Sequence, residues 1–341
     1  MEARTARLAV TLGDPRGIGP EVAAAAARAL AGRAGRPPLL FIGPEGTGAE
    51  AAADDFVSIG PWQPSHDPAT AGRLAGLAIR EACRLALARE VDGVVTAPID
   101  KAALRTGGFD FPGHTEMLAA LTSAPAVAMM MVAETAGASF IAGPTPEGGG
   151  PLTTHSAPPG GVLRVVLATT HIALKDVARA LTHERILEQA RLTAAGLRTA
   201  WGLERPRLAL CALNPHAGEA GLFGDEEGRV LAPARDALVA EGIDVSGPYS
   251  ADTVFLRALR GEFDAVIAPY HDVGMAAFKM AAFGRGVNLT LGLPFVRTSP
   301  DHGTALEIAG RGLADPASMI EAIALAARLA RRWNPNLTLA S

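Results

Sequence analysis

Apolar runs of strand length alternate with longer helical patterns along the whole chain of 341 residues. The first strand-like run, residues 7–14, leads into a helical pattern at 19–32. Pro20 falls in the first turn of that helix, where its missing N–H costs nothing. Alternation of this kind is typical of α/β proteins. The sequence therefore predicts an α/β fold, and its length favours two domains.

The remaining elements follow the same alternation. The other predicted strands are 38–43, 91–98, 126–133, 163–171, 207–216, 263–271 and 286–292, and the other predicted helices are 68–89, 183–201, 225–241 and 316–332. Residues 134–161 depart from it, because they hold seven Gly and five Pro, which is typical of a loop or hairpin. We interpret His155 within this segment as an ordinary solvent-exposed histidine.

Composition narrows the classes of partner. Lys and Arg number 31 against 35 Asp and Glu, so the chain has no basic field of the kind that binds nucleic acid. An anionic ligand must therefore be held by a few local cations.

The two cysteines lack CxxC spacing, which indicates a reducing compartment and neither a disulfide framework nor a thiolate metal site. The N-terminus has no signal-peptide pattern, and the apolar run 126–133 is shorter than the ~20 residues of a membrane span. We expect a cytoplasmic protein with no membrane partner.

Three predicted strands end in histidine, at His171, His216 and His271. Ligands of open α/β sheets bind at the carboxyl ends of strands, so the three imidazoles are expected at one edge. Three neutral imidazoles with one open position form a normal catalytic site for a divalent metal. Each histidine alone is equally well explained as a capping or core residue. Asp272 is then either a helix N-cap or a partner that fixes the tautomer of a ligand.

Two glycine-rich stretches carry a weaker signal. "GDPRGIGPE" (13–21) follows the first strand, but it is neither a GxGxxG fingerprint nor a P-loop. It indicates anion binding only weakly, and a tight strand-to-helix turn explains it as well. The second stretch, 299–316, has His302 at the start of a predicted helical run, for which a capped helix start is the simple interpretation.

Taken together, the motifs closely resemble the 4-hydroxythreonine-4-phosphate dehydrogenase family of vitamin B6 biosynthesis. They are, in order, "GDPRGIGPE", "TAPIDKAAL", "FPGHTEML", "LATTHIALKDV", "LNPHAGEAGLFGDEE", "PYSADTVF", "APYHDVGMAAFK" and "GVNLTLGLPFVRTSPDHGTALEIAGRG". The first and last of these also look like the isocitrate and isopropylmalate dehydrogenases. The resemblance implies their two-domain fold, with the active site in the interdomain cleft. It places residues 1–125 and 288–341 in the cofactor-side domain, and 126–287 in the domain that holds the metal and the dimer contact.

The resemblance also implies a reaction and its cofactors. The reaction is the oxidation of 4-phosphooxy-L-threonine at its C3 hydroxyl by NAD or NADP, giving a 3-keto acid that decarboxylates to 3-amino-2-oxopropyl phosphate. It implies one divalent metal per subunit (Zn, Mg, Co or Mn), which as a Lewis acid stabilises the negative charge that develops on oxygen. It further implies a homodimer whose active site is shared between the subunits.

The family's functional residues map onto this chain as expectations. The metal ligands are His171, His216 and His271; the substrate contacts are His114, Thr115, Lys279, Asn288 and Arg297; the loop for the adenosine half of the cofactor is His302, Gly303, Thr304 and Ala305; and the candidate catalytic groups are Lys101, Asp252 and Asp272. Lys279 and Arg297 would supply the cations that a phosphate and a carboxylate need. Lys101 is equally well explained as a surface lysine at a helix start.

Two departures from the family leave rival functions open. Residues 134–161 look like an insertion, and Val273 stands where the family usually has Gln. The nearest rival is a sister dehydrogenase for D-threonate or D-erythronate 4-phosphate. The second rival is a phosphate acyltransferase of the same fold, against which the three strand-end histidines and the "HGTA" loop argue. Nothing in the sequence favours a third, a non-catalytic metal-stabilised binding protein.

Overall fold

The computed structural model describes residues 5–64, 67–135 and 161–333. Most of the glycine- and proline-rich segment, including His155, lies outside these residues. No helix in the part of the chain that is described is long and apolar enough to cross a membrane.

Strands and helices alternate along the described chain, as the sequence predicts for an α/β protein. The strands are β1 (Leu8–Thr11), β2 (Leu39–Glu45), β3 (Asp55–Pro61), β4 (Gly93–Thr96), β5 (Ala128–Thr135), β6 (Gly161–Leu167), β7 (Leu208–Cys211), β8 (Val245–Tyr249), β9 (Ala265–Ala268), β10 (Val287–Leu291) and β11 (Val296–Pro300). The α-helices are α1 (Gly19–Leu30), α2 (Pro68–Leu87), α3 (Lys101–Thr106), α4 (His114–Thr122), α5 (Val177–Ala180), α6 (His183–Gly196), α7 (Ala232–Ala240), α8 (Ala251–Leu259), α9 (His271–Ala282) and α10 (Ala317–Ala330).

The chain divides into two compact units, each made of more than one stretch of sequence. The first contains Met1–Met130, Ala195–Glu204 and Gly284–Ser341, and the second contains Met131–Ala194 and Arg205–Phe283. Ala195–Glu204 lies on the other side of the division from the place that the sequence assigned to it. Leu291 would collide with any side chain at Gly196, and Arg332 donates to the Trp201 carbonyl, so this segment packs within the first unit.

In the first unit the strand order is β3-β2-β1-β4-β11-β10. All neighbouring pairs are parallel except β10 with β11, which run antiparallel. The strands β1 and β4 are buried along their whole length, as expected for a sheet covered on both faces. Parallel neighbours end at the same edge, so the loops after β1, β4 and β11 all leave from one edge.

In the second unit β6, β9, β7 and β8 follow one another in that order, and each neighbouring pair is parallel. The strands end three to five residues before the histidines, at Leu167, Cys211 and Ala268. The sequence predicted that each strand reaches the histidine, because a few residues in extended conformation between strand and histidine carry no turn signal of their own. His271 is instead the first residue of α9.

The long helix α2 shows how local sequence sets an element. The Asp67 carboxylate caps its start by accepting from the Thr70 N–H at 2.7 Å, and Pro68 occupies the first turn. One face of α2 is buried and includes Leu74, Ile79 and Ala82, so the helix closes over the sheet of the first unit. Burial of that apolar face holds the helix more than intrinsic propensity does.

We expect Gly72→Ala to destabilise the protein by about 3 kcal/mol, because over-packing costs this much where the backbone cannot yield. A Cβ at Gly72 would lie 1.8 Å from the Ala103 carbonyl oxygen, where α2 meets α3. Gly228→Ala is the matched control, since its Cβ meets no atom within 4 Å. Urea unfolding midpoints measure both changes. Equal midpoints for the two variants would contradict the close packing of α2 on α3.

Candidate functional site

A pair of histidines marks the carboxyl edge of the sheet in the second unit. The ladder between β6 and β9 continues one residue past the end of β6, since the Ala168 N–H donates to the Ala268 carbonyl at 2.8 Å. One residue further on, the Thr169 hydroxyl donates to the Pro269 carbonyl, also at 2.8 Å. These bonds hold the two following loops together, and the ring centroids of His171 and His271 lie 5.6 Å apart.

His271 is oriented by its neighbour. Its Nδ1 lies 2.7 Å from a carboxylate oxygen of Asp272, so Nε2 is the nitrogen that remains for another partner. Asp272 is the second residue of α9, and the N-cap position belongs to Tyr270, so Asp272 does not cap the helix. The contact is of the kind by which a carboxylate fixes the tautomer of a ligating histidine. A cavity of about 140 Å³ adjoins the pair, lined by Thr169, His171, Ile172, Leu174, Val177, Tyr270, His271 and Asp272.

His216 stands in an unusual turn. It begins a run of five residues with left-handed backbone angles, from His216 at φ 52° to Ala220 at φ 55°. The buried carboxylate of Glu227 holds the stretch before the run, accepting from the N–H groups of Leu213 and Asn214 at 2.9 and 2.7 Å. A left-handed conformation is costly for side chains with a Cβ and persists only where surrounding contacts impose it.

The described residues of one chain contain no group of three or more His, Cys, Asp or Glu that could hold a metal ion. His171 and His271 form a close pair, and His216 lies outside it, with its ring 6.4 Å from that of Phe223. The fit to a metal is therefore partial within one chain: two imidazoles are in place, and a third ligand is needed. His171, at φ 53°, shares the left-handed backbone of His216, and such outliers cluster at functional sites.

In the first unit, Arg297 heads the large side chains that are fully buried, with 2% of its surface exposed. It lies in β11, where its guanidinium donates to the hydroxyls of Thr96 in β4 and Thr290 in β10. Burial lowers the pKa of Arg297 to about 10, while the charge of Glu116 acts in the opposite direction. The side chain therefore remains a cation at neutral pH, and no ion pair to it occurs among the described residues.

Two further polar groups of the first unit are buried without a hydrogen-bond partner. These are Nε2 of His114, the first residue of α4, and Oδ1 of Asn288 in β10. Burial, and then the charges of Arg297 and Lys101, hold the pKa of His114 well below its usual value of 6.5. An unpartnered buried polar atom is costly, so these atoms indicate a polar ligand in this region.

Lys101 begins α3, and a network of charges fixes that helix start. Asp100 caps α3 by accepting from the N–H groups of Ala102 and Ala103 at 2.8 and 3.1 Å. The Ala103 N–H is the main cause of the lowered pKa of Asp100. Arg16 binds both Asp100 and the buried Asp14, at 3.0 and 2.6 Å. The network ties the "GDPRGIGPE" turn to the helix that carries Lys101, whose own side chain is exposed.

The segment 302–305 is a loop held by its backbone. The Thr304 carbonyl accepts from the Ile18 N–H at 2.9 Å, and a Cβ at Gly17 would lie 2.7 Å from the same oxygen. The helical run expected from His302 is absent, because Ala305 has φ 42° and turns lead instead to Gly310. Nε2 of His302 is buried without a hydrogen-bond partner, which fits a ligand at this loop.

A cavity of about 560 Å³ lies in the first unit, beside the two glycine-rich turns. It is lined by Pro15, Arg16, Gly17, Pro20, Glu21, Ala24, Arg28, Thr47, Gly48, Ala49, Trp62, Pro64, Ala309, Gly310 and Gly312. Its size falls in the range of small-molecule sites. Glu21 joins the two turns by accepting from the Gly310 N–H at 3.0 Å.

The remaining predicted site residues lie on helices. Thr115 is partly exposed in the first turn of α4. Lys279 is exposed in the last turn of α9, and Asp252 is exposed in the first turn of α8. No described hydrogen bond joins Asp252 to His171 or His271.

Sequence reasoning missed three groups of contacts at these places. The missed residues are Arg16 with Asp14 and Asp100, the threonines Thr96 and Thr290, and Glu227, which binds the residues before His216. All but the Asp14 contact join residues at least seven positions apart. The one available signal was the acidic end of "LNPHAGEAGLFGDEE", where Asp225, Glu226 and Glu227 follow a glycine-rich loop whose N–H groups need acceptors.

Solved structures at two levels of sequence identity share the fold of this chain. A solved isocitrate dehydrogenase from Methylococcus capsulatus is 16% identical with a TM-score of 0.50, over 98% of this chain and 87% of that one, and shows the fold alone. The solved 4-hydroxythreonine-4-phosphate dehydrogenase from Klebsiella pneumoniae is 37% identical with a TM-score of 0.79, over 97% of this chain and 100% of that one. The predicted isocitrate-dehydrogenase-like α/β fold is confirmed.

Relatives at higher identity define the family. A 4-hydroxythreonine-4-phosphate dehydrogenase of Methylorubrum populi is 43% identical over 97% of this chain and 96% of its own length. A Bradyrhizobium diazoefficiens protein that carries the name D-threonate 4-phosphate dehydrogenase is 41% identical over 95% and 96%. The family model of the pyridoxal phosphate biosynthetic protein PdxA matches residues 29–326. The chain belongs to this PdxA family, as the motifs predicted.

His114 should make stability depend on pH. Its pKa is lowered in the folded protein, so the unfolded chain takes up the proton first and stability falls as pH drops below about 6.5. We expect the slope for the wild type to exceed that for His114→Gln by up to about 1.4 kcal/mol per pH unit between pH 6.5 and 5. Urea unfolding across this range measures it. His183→Gln, on the partly exposed His183, is the control, and identical slopes for wild type and His114→Gln would show that His114 is accessible to protons.

Proposed function

We propose that this protein is an NAD(P)-dependent, decarboxylating dehydrogenase of 4-phosphooxy-L-threonine, acting in pyridoxal phosphate biosynthesis. The C3 hydroxyl loses its proton to a base while the C3 carbon transfers its hydrogen as hydride to the nicotinamide ring, which leaves a 3-keto acid. Loss of carbon dioxide and uptake of a proton then give 3-amino-2-oxopropyl phosphate. Family membership and the names of full-length relatives support this reaction.

The observation that carries the proposal is the buried guanidinium of Arg297, which forms no ion pair among the described residues. A substrate with a phosphate and a carboxylate supplies the anion that this cation lacks. Asn288 and His114 offer buried polar atoms that wait for partners, and His114 is held neutral, so it contributes a hydrogen bond rather than a charge. Thr115 and Lys279 complete the proposed set of substrate contacts.

The metal is proposed to bind His171 and His271 of one chain, with His216 as the third ligand. When bound, a divalent ion acts as a Lewis acid and favours negative charge on the substrate oxygen. Asp272 orients His271, and Thr169 keeps the two histidine loops together. We propose that the subunits of a homodimer share this site. Ile172 and Leu174 beside the pair expose 42% and 70% of their surface, as an interface would require.

The cofactor is proposed to bind at the loop 302–305, with its adenosine half near His302. The loop is pinned to Ile18, so its backbone groups are fixed before a ligand arrives. Lys101 is the proposed proton-transfer group, positioned by Asp100 and Arg16. A turnover assay with each dinucleotide decides between NAD and NADP.

The function is tested by comparing three substrates with NAD and with NADP. We expect the highest kcat/KM with 4-phosphooxy-L-threonine, and turnover that chelators remove and Zn, Mg, Co or Mn restores. The 41% identical relative named for D-threonate 4-phosphate favours the sister dehydrogenase as the main rival, and Val273 leaves the exact substrate open, so D-threonate and D-erythronate 4-phosphate complete the panel. A higher kcat/KM with either sister acid would reassign the substrate. Acyl transfer to phosphate without nicotinamide reduction would replace the dehydrogenase with an acyltransferase.

We expect His271→Ala to lose bound metal and turnover while keeping its affinity for NAD, because two imidazoles hold a divalent ion poorly. His183→Ala is the matched control, since His183 lies in the same unit with Glu184 as its neighbour. Metal analysis, calorimetry with NAD and a turnover assay measure the effects. Full metal occupancy with near-normal kcat in His271→Ala would mean that the histidine is structural.

A further inference from the structure

We propose that Thr96 and Thr290 are positioning residues for Arg297, a hydroxyl pair that fixes the guanidinium without neutralising it. The proposal rests on the proposed function, in which Arg297 meets an anionic group of the substrate. It goes further by assigning the origin of that anion site to two residues of neighbouring strands. Neither threonine touches the reacting atoms in this account, so both act through Arg297.

The contacts are short and directional. Thr96 Oγ1 accepts from both Nε and Nη2 of Arg297, at 3.2 and 2.6 Å. Thr290 Oγ1 accepts from Nη1 at 2.9 Å. A guanidinium has five N–H donors, so these bonds leave one on each terminal nitrogen. Two such donors match the paired oxygens of a carboxylate or a phosphate.

The sheet makes this arrangement rigid. Thr290 is the direct cross-strand partner of Arg297 in the β10–β11 pair, and β4 lies on the other side of β11. All three side chains are buried, with Thr96 and Thr290 fully so. The guanidinium is therefore fixed by strands rather than by a mobile loop, and it needs no reorganisation when an anion arrives.

The choice of hydroxyl over carboxylate is what keeps the site open to an anion. A carboxylate at either threonine position would take two guanidinium donors and cancel the charge. A hydroxyl accepts the hydrogen bond and leaves the full positive charge for a ligand. The cost of this choice is a buried cation with no ion pair among the described residues. We infer that the cost is retained because it creates affinity for the substrate.

A purely structural role for the two threonines is the alternative explanation, and the same sheet holds its control. Thr298, next to Arg297 in β11, is also fully buried, and its hydroxyl donates to the Ala322 carbonyl at 2.8 Å. Replacing it by valine removes a buried hydroxyl of the same kind without touching the guanidinium. Thr298→Val thus measures how much a loss of stability alone affects the kinetics.

The test compares Thr96→Val and Thr290→Val with Thr298→Val in the full-length enzyme. We expect each of the first two to raise KM for the phosphorylated substrate about 10-fold, the scale of one hydrogen bond to a charged group. KM for the nicotinamide cofactor should not change. Thr96→Ser keeps the hydroxyl and should restore a KM near that of the wild type. Thr298→Val should lower the melting temperature but leave KM for the substrate unchanged.

A charge-neutralising variant separates the effect on stability from the effect on substrate affinity. Thr290→Asp supplies the missing carboxylate, so we expect a melting temperature above that of Thr290→Val together with a larger rise in substrate KM. A structural role predicts instead that KM follows melting temperature across all the variants. This arm remains decisive if Thr96→Val does not fold.

A binding assay distinguishes failure of the anion-site proposal from failure of the proposed function. Inorganic phosphate is titrated calorimetrically into the wild type, Arg297→Ala and the threonine variants. If no phosphorylated acid is turned over but phosphate binding weakens about 10-fold in Thr96→Val and is lost in Arg297→Ala, the anion site stands and the reaction does not. If KM and phosphate affinity in Thr96→Val and Thr290→Val both equal those of Thr298→Val, or the wild type binds no anion at all, the proposal is overturned.

Discussion

Parallel strand pairing is the constraint on which each unit of this protein depends. Parallel strands end at a common edge, so every loop that follows them leaves from the same side. In the first unit that edge carries Asp14 after β1, Lys101 after β4 and His302 after β11. The antiparallel strand β10 adds Asn288 near the same edge, because Asn288 pairs with Ser299 close to the end of β11. In the second unit the same rule places the loops of His171, His216 and His271 at one edge.

A buried cation is the most expensive feature of the first unit. Moving an unpaired charge out of water costs several kcal/mol even after relaxation, and the hydroxyls of Thr96 and Thr290 offset only part of it. The remainder must come from apolar burial elsewhere in the same sheet, where Leu289 and Leu291 of β10 and Val296 of β11 are fully buried. The unpartnered atoms of His114 and Asn288 add to the same cost. Conflicts between folding and local chemistry are expected where a ligand later resolves them.

Much of this organisation could be predicted from the sequence. Apolar periodicity predicts α2 and α10 to within a few residues, because one buried face of each helix repeats at helical spacing. The predicted order of strands and helices holds for the same reason. The strands β3, β8 and β11 were missed, since their exposed or polar residues, such as Ser246 and Arg297, dilute the apolar signal.

The contacts that define the candidate site could not be predicted in the same way. Arg297 and Thr96 are separated by 201 positions, and Thr169 and Pro269 by 100, so only the folded sheet brings them together. The left-handed turn after His216 opposes the intrinsic preference of its alanines, so local propensity argues against it. The helix expected after His302 fails for a related reason, since Ala305 also takes a left-handed conformation.

The three candidate histidines differ in the number of contacts that hold their loops. His171 and His271 follow loops that main-chain and threonine hydrogen bonds join directly, and Asp272 orients one of the two rings. His216 depends on a strained turn whose preceding residues are secured by Glu227. The loops of His171 and His271 are thus fixed by the sheet itself, whereas the turn of His216 rests on one carboxylate. Loss of the Glu227 carboxylate would therefore release the strained turn while leaving the hydrogen bonds between the other two loops in place.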